Sequence, residues 1–246
     1  MRVVAVFEAT TGLGRARNHG LAVARGNIVG FTDDDCYPAP DYIDSILEIF
    51  SDRQIGYAGG RIKFFDQRDW PIGIVDKCER RIIQPFSYID GPDMKILGAN
   101  MAFRRTVLLQ IGGFDDALGA GALFSCEDID AFARASFAGW KGGYFPGPII
   151  LHNHGRGKES ARLLARRYAI ARGAYFAKFI LRRESAPLYA KEWICRSARM
   201  SLAAARHIAG DRRCLRVSSL SVHCSYALTQ DVQLAGRNDR ARNFRK

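Results

Sequence analysis

Three consecutive carboxylates, Asp33, Asp34 and Asp35, follow a short apolar run at residues 27–31. Such a run, bounded by turn residues, is typical of a buried strand. Because crowded carboxylates repel one another, this cluster at the end of a strand is consistent with a bound cation, and hard oxygen ligands suit Mg²⁺ or Mn²⁺. The alternative is a solvated acidic turn without a ligand, and the tripeptide taken alone favours that alternative.

A second acidic cluster, Glu127-Asp128-Ile129-Asp130, begins a predicted helix. Carboxylates in a first helical turn interact favourably with the helix dipole, so Glu127 and Asp128 can be explained as capping residues alone. The first turn of a helix also projects its side chains into a crevice, which suits a catalytic base. The residues themselves leave both interpretations open.

Two histidines, His152 and His154, stand at the end of the apolar segment 149–151. Alternation along a strand puts both on the same face if the strand continues. A lone histidine is usually structural. Two at the end of one strand, in a chain that has five histidines, make a ligand role and a structural role equally plausible.

Helical and strand-like patterns alternate over the first 154 residues. The patterns predict strands at residues 3–7, 27–31, 55–62 and 94–103, the first of them buried, and helices at residues 16–25, 41–50, 76–83 and 104–111. This alternation predicts an α/β fold with a largely parallel sheet flanked by helices.

Charge divides the chain at residue 155. The 92 residues from there onward, the basic tail, hold 21 Lys/Arg and 6 Asp/Glu, whereas the first 154 residues carry a net charge of −3. Apolar residues at helical spacing predict one basic amphipathic helix at 158–183, with a break near Gly173, and another at 188–208. The tail could pack on the body, lie on an anionic membrane, or bind nucleic acid. No nucleic-acid motif supports the third, so nucleic acid is not a predicted partner.

The six cysteines form no C-x-x-C pair, which argues against a zinc knuckle or a redox motif. Their scatter favours reduced thiols in the cytoplasm. The sequence therefore predicts a cytoplasmic protein, with peripheral association at the inner face of the cell membrane as an option that the tail adds.

Three groups of short motifs occur in a recognisable order. They are Gly12-Leu13-Gly14-Arg15-Ala16-Arg17-Asn18 ahead of Thr32-Asp33-Asp34-Asp35, Gly98-Ala99-Asn100 ahead of Gly112-Gly113-Phe114-Asp115, and Glu127-Asp128 ahead of Arg134, Gly139, Pro146 and His152. Each motif is weak alone, but their order and spacing over residues 3–183 resemble the family 2 glycosyltransferases of GT-A fold. The resemblance implies a GT-A-like mixed, mostly parallel sheet flanked by helices, followed by a C-terminal basic helical extension.

The resemblance also implies roles for the acidic residues and the histidines. In that family a D-x-D motif binds a divalent metal, Mg²⁺ or Mn²⁺, together with the sugar nucleotide. Asp35 is the predicted metal contact, with Asp33 as a second ligand. Some members add a histidine, which maps to His152, with His154 in reserve.

The remaining implied roles concern the donor and the chemistry. Asp33 and Asp34 are predicted near the ribose or sugar of the donor, and Asn100 is predicted to bind the donor as well. The general base of the family maps to Asp128, with Glu127 as a supporting neighbour. An acceptor hydroxyl would lose its proton to Asp128 while nucleoside diphosphate leaves.

The function implied is transfer of a sugar from a nucleotide-sugar donor to a glycan or lipid-linked acceptor, metal-dependent and inverting. Family members normally begin with a strand-helix-strand unit that holds the nucleotide base, and this sequence starts after it. The expectation is therefore an N-terminally truncated GT-A-like domain at 1–154 and a basic helical extension with a disordered C-terminus at 155–246. The alternative is a catalytically inactive truncated module that binds a membrane surface or a protein partner.

Overall fold

A computed structural model describes residues 3–91 and 96–208, with only the backbone described at residues 200 and 202–208. The described helices are α1 (Leu13–Val23), α2 (Tyr42–Ile49), α3 (Arg105–Gln110), α4 (Glu127–Phe137), α5 (Lys158–Ile180) and α6 (Ala186–Ile208). The described strands are β1 (Ile28–Thr32), β2 (Cys36–Pro38), β3 (Ile55–Phe64), β4 (Arg81–Ile83), β5 (Asn100–Arg104) and β6 (Lys141–His152).

The strands form one mixed sheet in the order β1-β5-β3-β6-β2, with β4 also paired to β6. Of the described pairings, β3 with β6 is parallel, while β1–β5, β3–β5, β2–β6 and β4–β6 are antiparallel. The prediction of an α/β fold with a mixed sheet and flanking helices is confirmed, but the prediction that the sheet is mostly parallel is wrong. Alternation of strands and helices along the chain did not reveal which strands become neighbours, and β1 pairs with a strand about seventy residues later.

Two other predicted elements differ from the structure. Residues 3–7 were expected to form a buried strand, but they lie outside the sheet without regular secondary structure, and Val3 and Phe7 are exposed by 79% and 84%. Residues 76–83 were expected to form a helix, but they contain no helix and end in β4. The Tyr144 hydroxyl donates to the Lys77 carbonyl at 2.7 Å, and β4 pairs with β6, so contacts distant in sequence hold this segment against the sheet.

Alternating side chains of the sheet contribute to two cores on its opposite faces. Tyr57 and Phe103 pack with α4 and α5 on one face, where the Phe103 and Phe132 rings stack at 5.2 Å. Ala58 follows Tyr57 and Ala102 precedes Phe103 in the sequence, and both alanines pack with α2 on the other face. The sheet is therefore held between helices, and its strand ends are free to present polar side chains.

The first helix of the basic tail shares the larger core. Phe176 and Phe179 are buried there, and the Tyr175 and Tyr189 hydroxyls, from α5 and α6, are 2.5 Å apart. Packing on the body is thus confirmed for the inner face of α5, whereas Leu163 on the same helix is exposed by 53%. The helix runs through Gly173 without the predicted break.

The described part of the chain contains no helix that is both long enough and apolar enough to cross a bilayer. The domain boundary predicted at residue 155 falls between β6 and α5 and stays a prediction. The disorder predicted for the C-terminus concerns mainly residues 209–246, which lie outside the described residues.

Candidate active site

A cluster of possible metal ligands forms where β1, β2 and β6 meet. The Cys36 N–H donates to the Asp33 carbonyl at 3.2 Å, which closes a tight turn directly after β1. Cys36 pairs in register with His152 across β2 and β6, so both side chains lie on the same face. One potential ligand atom from each of Asp33, Asp35, Cys36 and His152 lies within 4.8 Å of the others.

The donors of this cluster fit a hard divalent cation. Two carboxylates and an imidazole are ligands that Mg²⁺ and Mn²⁺ accept, whereas the Cys36 thiol is the least suited of the four. The His152 Nε2 atom lies 3.2 Å from Asp35 Oδ1. Its Nδ1 atom is buried and has no hydrogen-bond partner among the described residues.

The other predicted residues of this region lie apart from the cluster. Asp34 is exposed at the tip of the turn. His154 has its Nδ1 atom 3.6 Å from Asp69 Oδ2, and Nδ1 also accepts the Arg156 N–H at 3.0 Å. Of the two histidines, the structure therefore brings His152, and not His154, to the acidic turn.

A buried arginine joins the two acidic clusters. Arg17 donates from Nη1 to Glu127 Oε1 at 2.5 Å, and its Nη2 atom lies 3.5 Å from Asp33 Oδ1. The Arg17 and Glu127 side chains are each exposed by 7%. Arg17 was not among the predicted site residues. The sequence did contain a signal for its burial, because Gly14, Arg17 and Leu21 have helical spacing, and they form the buried face of α1.

The backbone of Gly98 lies between Arg17 and Asp128. Its N–H donates to Asp128 Oδ2 at 2.7 Å, and its carbonyl accepts from Arg17 Nη2 at 3.4 Å. A Cβ at this position would lie 2.8 Å from Arg17 Nη2 and 3.2 Å from Asp128 Oδ2, so a side chain would displace both groups. Asp128 Oδ1 also accepts the Ile129 N–H at 2.8 Å, so both carboxylate oxygens are oriented from the backbone.

Negative charge is in excess at this site. Burial raises the pKa of Asp33, which the nearby Arg17 charge opposes. Burial, and to a lesser degree the Asp128 charge, raise the pKa of Glu127, again against the effect of Arg17. Four carboxylates thus lie around one buried arginine, and this excess of negative charge favours a bound cation. The carboxylates are those of Asp33, Asp35, Glu127 and Asp128.

Asn100 has a different position from the one predicted. Its Nδ2 donates to the carbonyls of Arg61 and Pro148 at 2.8 and 3.1 Å, and its Oδ1 accepts the Tyr42 hydroxyl at 3.2 Å. Both amide hydrogens are therefore used inside the protein, which argues against a contact with the donor. The side chain ties β5 to β3 and β6, and a donor contact stays a prediction.

The sequence model described as "Glycosyl transferase family 2" matches residues 2–112. This stretch is a family 2 glycosyltransferase domain. The family 2 match includes Arg17, the acidic turn and Gly98, whereas Glu127, Asp128 and His152 lie beyond residue 112, so their placement at the site rests on the structure.

Curated relatives of the family 2 domain are glycosyltransferases. The "Pre-mycofactocin glycosyltransferase" of Mycobacterium tuberculosis is 25% identical over 147 residues, which cover 56% of this chain and 29% of that protein. The "Glucosyl-dolichyl phosphate glucuronosyltransferase" of Haloferax volcanii is 26% identical over 123 residues, 46% of this chain and 37% of that protein. The match thus spans about a third of the length of these relatives.

A solved structure extends the comparison to most of the chain. It is a mannosyltransferase from Pyrobaculum calidifontis in complex with GDP-Man and Mn²⁺, with a TM-score of 0.52 and 20% identity over 91% of this chain and 65% of that one. At this identity the likeness concerns the fold alone. The predicted family and the GT-A fold class are confirmed, and the family is one of enzymes.

Proposed function

We propose that the protein is a divalent-metal-dependent glycosyltransferase that moves a sugar from a nucleotide-sugar donor to a hydroxyl of a glycan or lipid-linked acceptor, with inversion. The observation that carries the proposal is the meeting of Asp33, Asp35 and His152 beside the Glu127-Asp128 helix start. Support also comes from the similar mannosyltransferase, which holds GDP-Man and Mn²⁺, and from the relative named for a dolichyl phosphate acceptor.

Each protein group has a role in this reaction. Asp128 accepts the proton of the acceptor hydroxyl as its oxygen bonds to the anomeric carbon, while the bond from that carbon to the diphosphate breaks. Attack from the face opposite the leaving group inverts that carbon. Arg17 holds Glu127 and Asp33 in place, and Gly98 orients Asp128. When bound, the cation supplies neutralisation of the charge that develops on the leaving diphosphate.

The test is thermal unfolding with Mn²⁺, alone and with GDP or UDP. A ligand that binds the native state alone raises the melting temperature. We expect Mn²⁺ to raise it and the nucleotide to add to the shift. Asp35→Ala should abolish the Mn²⁺ shift, while Asp44→Ala, which removes an exposed carboxylate from α2, should keep it. A wild-type protein without any shift would favour the inactive module.

We further propose that the enzyme works at the anionic inner face of a cell membrane. Support comes from the exposed stripe of α5, formed by Leu163, Ile170 and the helix C-cap Leu181, which are exposed by 53%, 66% and 86%. These residues are seven and eleven positions apart, so they follow one side of the helix. Arg166 and Arg167, both exposed, lie between the first two and complement anionic lipid.

A further inference from the structure

Cys36 brings a soft ligand to a site that otherwise offers hard ones. It pairs in register with His152 across β2 and β6, and its Sγ atom lies 3.8 Å from Asp35 Oδ1. Among the described cysteines it is the one that joins Asp33, Asp35 and His152 in the cluster of possible metal ligands. Carboxylate oxygens suit Mg²⁺ and Mn²⁺, whereas Zn²⁺ accepts thiolate, imidazole and carboxylate together. The thiol is therefore a ligand that the proposed transferase does not use.

The spacing of the ligand atoms fits tetrahedral zinc. Zinc bonds of about 2.3 Å to sulfur and about 2.0–2.1 Å to nitrogen or oxygen place tetrahedral ligand atoms about 3.6 Å apart for S–O and about 3.3 Å apart for N–O. The distance from Cys36 Sγ to Asp35 Oδ1 is 3.8 Å, and that from His152 Nε2 to Asp35 Oδ1 is 3.2 Å. Two edges of the tetrahedron are thus close to the length that zinc requires, and all four ligand atoms lie within 4.8 Å of one another.

The number of protein ligands decides what a cation leaves open for a substrate. Mg²⁺ and Mn²⁺ take octahedral coordination, so Asp33, Asp35 and His152 leave positions for the oxygens of a diphosphate. Structural zinc sites are closed by four protein ligands, whereas catalytic sites keep one position free. With Cys36 as the fourth ligand, zinc has no such position. The same cluster therefore suits a catalytic cation of one class and is closed by a cation of another.

We propose that the cluster at the acidic turn is an inhibitory zinc site, in which Cys36 selects Zn²⁺ and closes the coordination shell against the diphosphate. Its ligands are Asp33, Asp35, Cys36 and His152. The inhibition rests on the proposed function, because three of these residues are the ones assigned to the catalytic cation, whereas zinc binding rests on the cluster alone. The thiol proton leaves to solvent as the Zn–S bond forms, and a chelator that removes Zn²⁺ reverses the inhibition.

The first test compares Cys36→Ser with Cys78→Ser, which removes an exposed thiol outside the cluster. Cd²⁺ replaces Zn²⁺ here, because a cadmium–thiolate bond gives an ultraviolet charge-transfer band. One equivalent of Cd²⁺ should produce this band in wild type and in Cys78→Ser, but not in Cys36→Ser. Competition with a chromogenic chelator should show Zn²⁺ affinity lowered by about tenfold or more in Cys36→Ser, since even an outer-shell partner is worth about that much. Mn²⁺ affinity, measured by calorimetry, should change much less.

The second test measures inhibition through nucleotide binding. GDP or UDP should raise the melting temperature of the Mn²⁺-loaded wild type, and one equivalent of Zn²⁺ should remove this nucleotide shift. In Cys36→Ser the nucleotide shift should persist when Zn²⁺ is added. A nucleotide shift that persists in zinc-loaded wild type would overturn the inhibition.

The outcomes separate the zinc site from the transferase. An equal Cd²⁺ band in Cys36→Ser would overturn the zinc site and leave the transferase proposal intact. A wild type that gives the band but shows no shift with Mn²⁺ and nucleotide would confirm the zinc ligands and overturn both the inhibition and the transferase proposal. If Cys36→Ser does not fold, as judged by its melting curve, X-ray absorption at the zinc edge of wild type with one equivalent of Zn²⁺ decides. A sulfur neighbour at about 2.3 Å is expected there, and a shell without sulfur overturns the proposal.

Discussion

Replacement of Arg17 by methionine should lower the free energy of unfolding by about 3–5 kcal/mol, the usual range for breaking a buried ion pair from one side. The side chains of Arg17 and Glu127 are each 7% exposed and 2.5 Å apart, so methionine leaves a buried carboxylate without its partner. Replacing Glu127 by glutamine should cost less, about 1–3 kcal/mol, since only one hydrogen bond to a charged group is weakened. In that variant Arg17 keeps Asp33 at 3.5 Å and the Gly98 carbonyl at 3.4 Å.

The dependence of this loss on pH gives a second measurement. Without Arg17, the pKa of Glu127 rises further above its unfolded value, because burial and Asp128 already raise it. The folded state then binds more protons than the unfolded state, so the stability of the variant increases as pH falls. The wild-type pKa of Glu127 is already raised to about 7, so the difference between wild type and Arg17→Met should shrink as pH falls toward 7 and change little below it.

Urea unfolding followed by circular dichroism measures these free energies. Arg68→Met is the matched control, because it removes an arginine whose pair with Asp66 is at the surface, where its side chain is 89% exposed. That variant should unfold at the wild-type midpoint. The reasoning is refuted if Arg17→Met loses less stability than Glu127→Gln, or if it behaves like the Arg68 variant.

Two further predictions concern catalysis and location. Asp128→Asn should lower the release of nucleoside diphosphate from a panel of nucleotide sugars by about a hundredfold or more, as expected for loss of a positioned base, with nucleotide affinity barely changed; a loss of only a few fold would make Asp128 a capping residue. The protein should sediment with anionic vesicles at low salt, release as salt rises, and bind neutral vesicles much less. Ile170→Asp should weaken this binding, whereas Ile43→Asp, at an equally exposed isoleucine of α2, should not. Equal binding to neutral and anionic vesicles, or competition by RNA at the same affinity, would contradict a lipid surface as the partner.

Features set by neighbouring residues were predictable from the sequence. The turn at Asp33-Asp34-Asp35 follows from an apolar run that ends in crowded carboxylates, which need solvent or a cation. The prediction that this run forms a buried strand is wrong, because β1 lies at the edge of the sheet and none of its residues is buried. The start of α4 at Glu127 follows from acids ahead of an apolar helical face, and the end of β6 at His152 follows from an apolar run that becomes polar. In each case the pattern and its physical cause lie within about ten residues.

Features that depend on distant pairing could not be predicted in the same way. Strand direction was misjudged because β5 enters the sheet between β1 and β3, and residues 76–83 were misassigned because β4 pairs with β6. Asn100 was assigned to the donor, but its amide is used by the carbonyls of Arg61 and Pro148, which lie 39 and 48 positions away. No local pattern contains these partners.

The sequence by itself determined which groups are available for chemistry: an acidic turn after one strand, an acidic helix start, and a histidine at the end of another strand. Tertiary structure alone decided which of them meet. It selected His152 over His154, and it placed Arg17 between Glu127 and Asp33, which are 110 and 16 positions from it. The physical reason is that side-chain type and local spacing set what a group can bind. The distance and burial that decide whether it does so arise when distant segments pack into one core.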